Sequence, residues 1–162
     1  MYFGSYEHTL DDKGRLMIPR KLKEGLSEGS PLYIMKGFEG CIAVYNESEF
    51  AKLSQECSSI SFNKKNSRTY LRLMLSSVTE LTVDKVGRIQ LPSQTISKYQ
   101  IGKQVMIIGV GDHFEIWDLV KFNEYQQEAN ENFEEIAESL DKENDWDTYS
   151  STSQWSNWRS QY

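Results

Sequence analysis

The 162-residue sequence has only two cysteines, two histidines and three prolines, and it lacks any long apolar run. Two cysteines argue against a disulfide framework and favour a reducing compartment. The longest apolar stretch, residues 105–110, is far too short to cross a membrane. Charges are spread through residues 1–30, which argues against a signal peptide. We therefore expect a cytoplasmic protein with no membrane partner.

The scarcity of reactive side chains argues against catalysis. His8 and His113 are the only histidines, and Cys41 and Cys57 are the only thiols. These are too few to assemble a nucleophilic triad or a metal site, and no glycine-rich phosphate loop precedes a lysine. The sequence predicts a protein that is not an enzyme and that uses no metal, cofactor or small-molecule substrate.

A nine-residue pattern that occurs twice is the strongest positive signal. Residues 11–19 (DDKGRLMIP) return 73 positions later as residues 84–92 (DKVGRIQLP). Self-similarity at a fixed distance indicates a duplicated structural unit. Each copy predicts a strand, a Gly-Arg turn, a second strand, a proline, a short helix and a β-hairpin. We therefore expect two similar halves that face each other.

Backbone geometry accounts for three residue types of the motif. The glycine supplies the positive φ of a tight turn, the aspartate can accept hydrogen bonds from amides of that turn, and the proline ends the strand. These structural positions are Asp11, Gly14 and Pro19 in the first copy and Asp84, Gly87 and Pro92 in the second. Apolar alternation places Arg15 and Arg88 on the exposed face, and backbone geometry does not explain these arginines.

The D-x-x-G-R-Φ-x-Φ-P unit resembles the swapped hairpin of AbrB-like transcription factors. Two copies, with residues 1–4 (MYFG) leading and residues 114–118 (FEIWD) closing the second, resemble the MraZ family over roughly residues 1–140. An extra acidic residue, Asp12, and a tail at residues 141–162 depart from that pattern. The resemblance implies an α+β fold of tandem AbrB/MraZ-like swapped-hairpin β-barrel repeats with helices, related by pseudo-two-fold symmetry.

The resemblance also implies a function. It implies a nucleoid-associated, sequence-specific transcriptional regulator of the division and cell wall gene cluster. It further implies a ring-shaped homo-oligomer, such as an octamer, that binds repeated promoter boxes in double-stranded DNA. The expected DNA-binding residues are Lys13, Gly14 and Arg15, with Arg20, Lys21 and Arg88 as additional candidates. Arginine can contact guanine edges, and either cation can neutralise phosphates.

Two alternatives remain open at this stage. Arg20 and Lys21 are equally well explained as the solvated face of a short helix. The whole chain could instead be an oligomeric scaffold or interaction protein that does not bind DNA.

The two Gly-Arg turns differ in sequence, because Lys13 adjoins Gly14 whereas Val86 separates the second lysine from its glycine. We therefore expect the first turn to bind DNA and the second mainly to hold the fold.

The chain divides into five segments by pattern and composition. These are a first AbrB-like repeat (1–50), connecting helices (51–77), a second repeat (78–122), a C-terminal helix (123–140) and an acidic tail rich in Trp and Ser (141–162). A stripe of apolar residues from Phe122 to Leu140 predicts one amphipathic helix, starting near residue 119. The tail's tryptophans could hold it against a groove or a neighbouring subunit, and a weakly placed terminus is the alternative.

The net charge of −6 conflicts with DNA binding unless it is unevenly distributed. Residues 1–118 carry 15 Lys and Arg against 14 Asp and Glu, whereas residues 119–162 carry 3 against 10. The acidity therefore belongs to the C-terminal segment and not to the part that bears the motifs.

Overall fold

The computed structural model describes residues 1–142, and the chain divides into two units between Phe122 and Asn123. The first copy of the motif lies in β1 (Ser5–Thr9), β2 (Arg15–Met17), a 3-10 turn (Arg20–Leu22), β3 (Pro31–Lys36), a second 3-10 turn (Phe38–Gly40) and β4 (Ile42–Asn46). Two helices follow, α1 (Glu47–Ser59) and α2 (Lys65–Ser76). The remaining elements are β5 (Thr79–Thr82), β6 (Arg88–Gln90), α3 (Ser93–Lys98), β7 (Gln104–Gly109), β8 (Phe114–Asp118), α4 (Leu119–Glu131) and α5 (Phe133–Lys142).

Six of the strands form one antiparallel sheet in the order β1-β7-β8-β4-β3-β5. β1 belongs to the first copy but pairs with β7 of the second, with His8 opposite Val105. β5 belongs to the second copy but pairs with β3 of the first, with Leu32 opposite Leu81. Each copy therefore contributes the edge strand beside the hairpin of the other copy.

The two remaining strands, β2 and β6, pair with each other as an antiparallel ribbon. Their central residues, Leu16 and Ile89, lie opposite each other and are each only 1% exposed. Side chains alternate across a strand, so this inward face joins the main apolar core, which also contains Ile34, Ile107 and Ile116. The outward face of the same ribbon carries the arginines of both motifs.

The helix after β4 begins at an asparagine cap. The Asn46 side-chain oxygen accepts a hydrogen bond from the Glu49 amide at 2.8 Å, which satisfies one of the unpaired donors at a helix start. The ring of Phe50 on α1 stacks on Tyr33 of β3 with centroids 4.0 Å apart. These contacts hold α1 against the sheet.

The prediction of one continuous C-terminal helix is wrong. The helix breaks at Asn132, whose amide bonds to the Ala129 carbonyl, while its own carbonyl accepts from the Ile136 amide as α5 begins. Asparagine competes for backbone groups and favours helix ends over helix interiors. The apolar stripe changes character along the chain, because Phe122 is buried whereas Phe133, Ile136 and Leu140 are exposed.

The proposed tail role concerns residues beyond the described part of the chain, except for residues 141 and 142, which end α5. No helix formed by residues 1–142 has the length and apolar character needed to cross a bilayer.

Candidate nucleic-acid interface

The first motif folds into a turn that its aspartate holds closed. Asp11 Oδ1 accepts hydrogen bonds from the backbone amides of Lys13 at 2.9 Å and Arg15 at 2.8 Å. Asp11 Oδ2 accepts a third bond from the Arg15 Nε. Gly14 has a φ of 76°, a left-handed conformation that side-chain-bearing residues resist. One carboxylate thus fixes both the path of the turn and the position of its arginine.

The second motif repeats this arrangement. Asp84 Oδ1 accepts from the amides of Val86 at 3.0 Å and Arg88 at 2.9 Å, and its Oδ2 accepts from the Arg88 Nε at 2.8 Å. Gly87 has a φ of 87°. The hydrogen bonds predicted for the two aspartates are therefore present, and each motif arginine has a structural partner that the sequence analysis did not assign.

Both aspartates are ionised at neutral pH. Hydrogen bonds, first from the backbone amide of Arg88 and then from its side chain, outweigh partial desolvation and lower the pKa of Asp84 to about 2. The corresponding bonds from Arg15 lower the pKa of Asp11 in the same way. Each carboxylate therefore remains a charged acceptor for its arginine through the physiological range.

The bonds to aspartate leave most of each guanidinium available. A guanidinium has five N–H donors, and only the Nε–H of Arg15 and of Arg88 bonds to the aspartate. The side chains are 34% and 31% exposed. Each arginine is thus held by its inner nitrogen, with its outer nitrogens left to bind a ligand bidentately.

The β2–β6 ribbon places both arginines on one surface. Arg15 lies opposite Gln90, and Met17 lies opposite Arg88. Because the residues between them are buried and side chains alternate, all four side chains share the outward face. We call Arg15, Met17, Arg88 and Gln90 the ribbon face.

Further basic residues of the first copy flank the ribbon face at both of its ends. Lys13 is exposed at the tip of its turn, and Arg20 and Lys21 are exposed on the 3-10 turn that follows Pro19. Lys23 reaches toward the ribbon, with its Nζ 3.5 Å from the Met17 sulfur. The second turn exposes Lys85 and, at the position that corresponds to Lys13, the hydrophobic Val86.

Gln90 is a surface residue that sequence analysis missed. It is exposed, and its Nε2 donates a hydrogen bond to the Lys13 carbonyl at 2.9 Å. The bond joins the second strand of one motif to the turn of the other. The only signal in the sequence was its position between two buried residues of a strand, which marks it as outward-facing but names no partner.

A second cluster links the scarce reactive groups, but not as a catalytic site. The Cys41 thiol donates to Glu115 Oε2 at 3.3 Å, and His113 Nδ1 lies 2.6 Å from Asp112 Oδ1 and stacks on Tyr45. Burial, together with the charge of Glu115, raises the pKa of the Cys41 thiol far above its usual value. The thiol is therefore protonated, and a protonated thiol is not a nucleophile.

The histidine of this cluster carries a charge. Burial alone would lower the pKa of His113, but hydrogen bonds to Asp112 and Glu115 outweigh burial and raise the pKa to about 9. His113 is thus a cation between two carboxylates at neutral pH. His113 in the second copy and Cys41 in the first copy occupy equivalent positions of their hairpins, and Cys41 is uncharged.

The structure contains two interlocked copies of one unit. Each copy holds an arginine with a carboxylate and places it on the shared ribbon. The chain is thus a tandem-repeat protein with a basic surface on its two turns. A family model described as "MraZ protein, putative antitoxin-like" matches residues 1–73 and, a second time, residues 74–144. The chain belongs to the MraZ family.

Similar proteins agree with this assignment over most of the chain. A protein of Lactobacillus delbrueckii subsp. bulgaricus named "Transcriptional regulator MraZ" is 42% identical, covering 87% of this chain and 97% of its own length. Proteins of the same name from Mesoplasma florum and Caldanaerobacter subterraneus subsp. tengcongensis are each 39% identical. The match to the Mesoplasma protein covers 86% of this chain and 95% of that protein. The match to the Caldanaerobacter protein covers 89% of this chain and 99% of that protein.

Proposed function

We propose that this protein is a sequence-specific DNA-binding transcriptional regulator of the division and cell wall gene cluster, and that it acts at the nucleoid in the cytoplasm. The observation that carries the proposal is the ribbon face, where two arginines project from one two-stranded ribbon. The major groove of DNA admits such a ribbon. The names of the similar proteins support a role in transcription.

The chemistry of the first turn suits a nucleic acid. The outer nitrogens of Arg15 match the O6 and N7 acceptors of guanine, the commonest specific pairing in the major groove. Lys13 supplies exposed positive charge on the same turn, and Arg20 and Lys21 supply it beyond the other end of β2. At both places, phosphate contacts would set register and orientation. The backbone amide of Gly14 is occupied by the Asp11 carbonyl, so we assign Gly14 the role of shaping the turn.

The strand exchange supports a pseudo-two-fold, swapped-hairpin relation between the two copies. When each strand of the order β1-β7-β8-β4-β3-β5 is replaced by its counterpart in the other copy, the order reads the same from the opposite edge. The two turns then lie at opposite ends of the antiparallel ribbon with both arginines on its outward face, and one subunit presents a small DNA-binding surface.

A small surface per subunit calls for several subunits. A ring-shaped homo-oligomer, for example an octamer, would engage several promoter boxes at once, and linked weak contacts can raise apparent affinity by 10²–10⁴ (order of magnitude). The acidic segment from residue 119 onward would weaken binding wherever it lay within about 8–10 Å of the phosphates. The proposal therefore places that segment away from the DNA.

The test uses the full chain and duplex DNA from upstream of its own gene. We expect a mobility shift that falls steeply with salt, because cations on the turns release counterions from phosphates. Duplexes that carry two correctly spaced boxes should bind at least tenfold more tightly than a duplex with one box. Mass photometry of the same samples reports the size of the assembly.

The outcomes separate the proposal from its alternative. An intact oligomer that binds its own upstream DNA no better than scrambled DNA would overturn the regulator and favour a scaffold that binds protein. A single box bound as tightly as an array, at equal salt, would overturn the multivalent part alone.

A further inference from the structure

The ribbon face is not symmetric, and the asymmetry lies beside the arginines. Met17 and Gln90 occupy equivalent positions of the two motifs, two residues after each arginine. In the ribbon each lies directly opposite the arginine of the other copy. Arg15 therefore has a glutamine as its neighbour across the ribbon, whereas Arg88 has a methionine.

The side chain of Gln90 is held in one orientation. Its Nε2 donates to the Lys13 carbonyl at 2.9 Å, which uses one of two amide protons. The second N–H and the Oε1 acceptor remain. A glutamine amide that offers one donor and one acceptor matches the N7 acceptor and N6 donor of adenine in the major groove. Met17 offers only an apolar surface, 37% exposed.

We propose that Gln90 is a specificity-determining residue that contacts an adenine next to the base contacted by Arg15. The inference rests on the proposed DNA-binding function and deepens it. Because Met17 cannot form the equivalent bonds beside Arg88, the two halves of the ribbon face select different bases. The DNA box is therefore not a palindrome, although the protein unit is duplicated.

The dimensions of the ribbon are compatible with neighbouring bases. Side chains directly opposite each other on antiparallel strands have Cβ atoms about 5 Å apart. Successive bases along one strand of the duplex are spaced by about 3.4 Å. Arg15 and Gln90 can thus reach adjacent base pairs without a change in the ribbon. Because the bond to Lys13 already restricts the rotamers of Gln90, binding costs less side-chain entropy.

The experiment is a selection from a library of duplexes with about 20 randomised base pairs, run on the full-length oligomer. The variants are Gln90→Ala and Gln90→Met, and the control is Gln94→Ala, which removes an exposed glutamine of α3 outside the ribbon face. Gln90→Met places at this position the residue that the first copy already carries, so the ribbon should accept it. Melting temperatures and assembly mass verify that each variant is folded.

We expect wild type and Gln94→Ala to select a box with an adenine at one fixed position. Both Gln90 variants should lose that preference, by roughly tenfold to a hundredfold in discrimination against the other bases, and Gln90→Met should select a more symmetric box. If the Gln90 variants retain the wild-type preference at every position, the inference is wrong and the proposed function stands. If wild type selects no sequence at all, the proposed function fails, and this inference fails with it.

Discussion

The first and second turns hold their arginines in the same way and differ in what surrounds them. Asp11 and Asp84 make matching sets of three hydrogen bonds, and the arginines are similarly exposed. The first turn has Lys13 at its tip, whereas the second has Val86. The two turns therefore share the residues that shape the backbone and hold the arginine, and they differ in the residue beside the glycine.

The largest expected effect compares Arg15→Ala with Arg88→Ala. Arg15→Ala should weaken binding to promoter duplex by about 1–3 kcal/mol per base contact, compounded over the subunits of the assembly. Arg88→Ala should cost less, because Met17 opposite Arg88 offers a ligand no amide group, whereas Gln90 opposite Arg15 does. Fluorescence anisotropy at fixed salt measures both losses.

The matched control for these variants is Arg72→Ala, which removes an exposed arginine of α2 outside the ribbon. It should leave DNA affinity unchanged. Equal losses from Arg15→Ala and Arg88→Ala, with the oligomer intact, would show that both turns bind DNA alike and would refute the assigned division of roles.

The glycines give the next effect, on stability. A Cβ on Gly14 would lie 2.8 Å from the Leu91 carbonyl oxygen, which is backbone and cannot move aside. A Cβ on Gly87 would instead meet the end of the flexible Lys23 side chain. Both alanine variants incur about 1–2 kcal/mol for the left-handed backbone, and Gly14→Ala adds roughly 1–3 kcal/mol of overpacking.

Urea unfolding of the two glycine variants measures this difference. Gly14→Ala should have the lower midpoint with an unchanged slope. The same midpoint for both would show that Leu91 can shift, and that the two turns are equally tolerant.

The smallest effect concerns the hairpins, where His113 is charged and its counterpart Cys41 is not. Because folding raises the pKa of His113 from 6.5 to about 9, protonated His113 stabilises the fold fully below pH 6.5. That stabilisation disappears as the pH rises through about 9. The melting-temperature difference between wild type and His113→Gln should therefore shrink from pH 6 to pH 10. Between pH 6 and about pH 8, where an unfolded-state thiol is still protonated, the control Cys41→Ser should show no comparable convergence. A pH-independent His113 difference would contradict the assignment.

The motifs could be predicted from sequence because their requirements are local. Gly14, Gly87 and the two aspartates act within a few residues of their partners, so the pattern itself contains the reason for each. The Asn46 cap was predictable for the same reason. The break at Asn132 was not, because an apolar stripe at helical spacing can continue across two helices as well as along one.

Contacts between the copies could not be predicted from the motif alone. Gln90 and Lys13 are 77 residues apart in sequence, and their contact depends on the register of β2 against β6. The Cys41–Glu115 bond spans 74 residues. Only the assembled sheet brings Cys41 and His113 to a shared carboxylate, that of Glu115.

The strand exchange has a consequence for how the chain is made. Thr9 of β1 contacts Gln104 of β7, a separation of 95 residues. At ordinary translation rates of about 5–20 residues per second, β1 leaves the ribosome roughly 5–20 s before its partner exists. For that interval its backbone donors and acceptors have no neighbouring strand, the condition under which nascent chains pair wrongly. Folding of this protein is therefore completed only once the second copy has been synthesised, and a chaperone that shields the first strand should raise its yield.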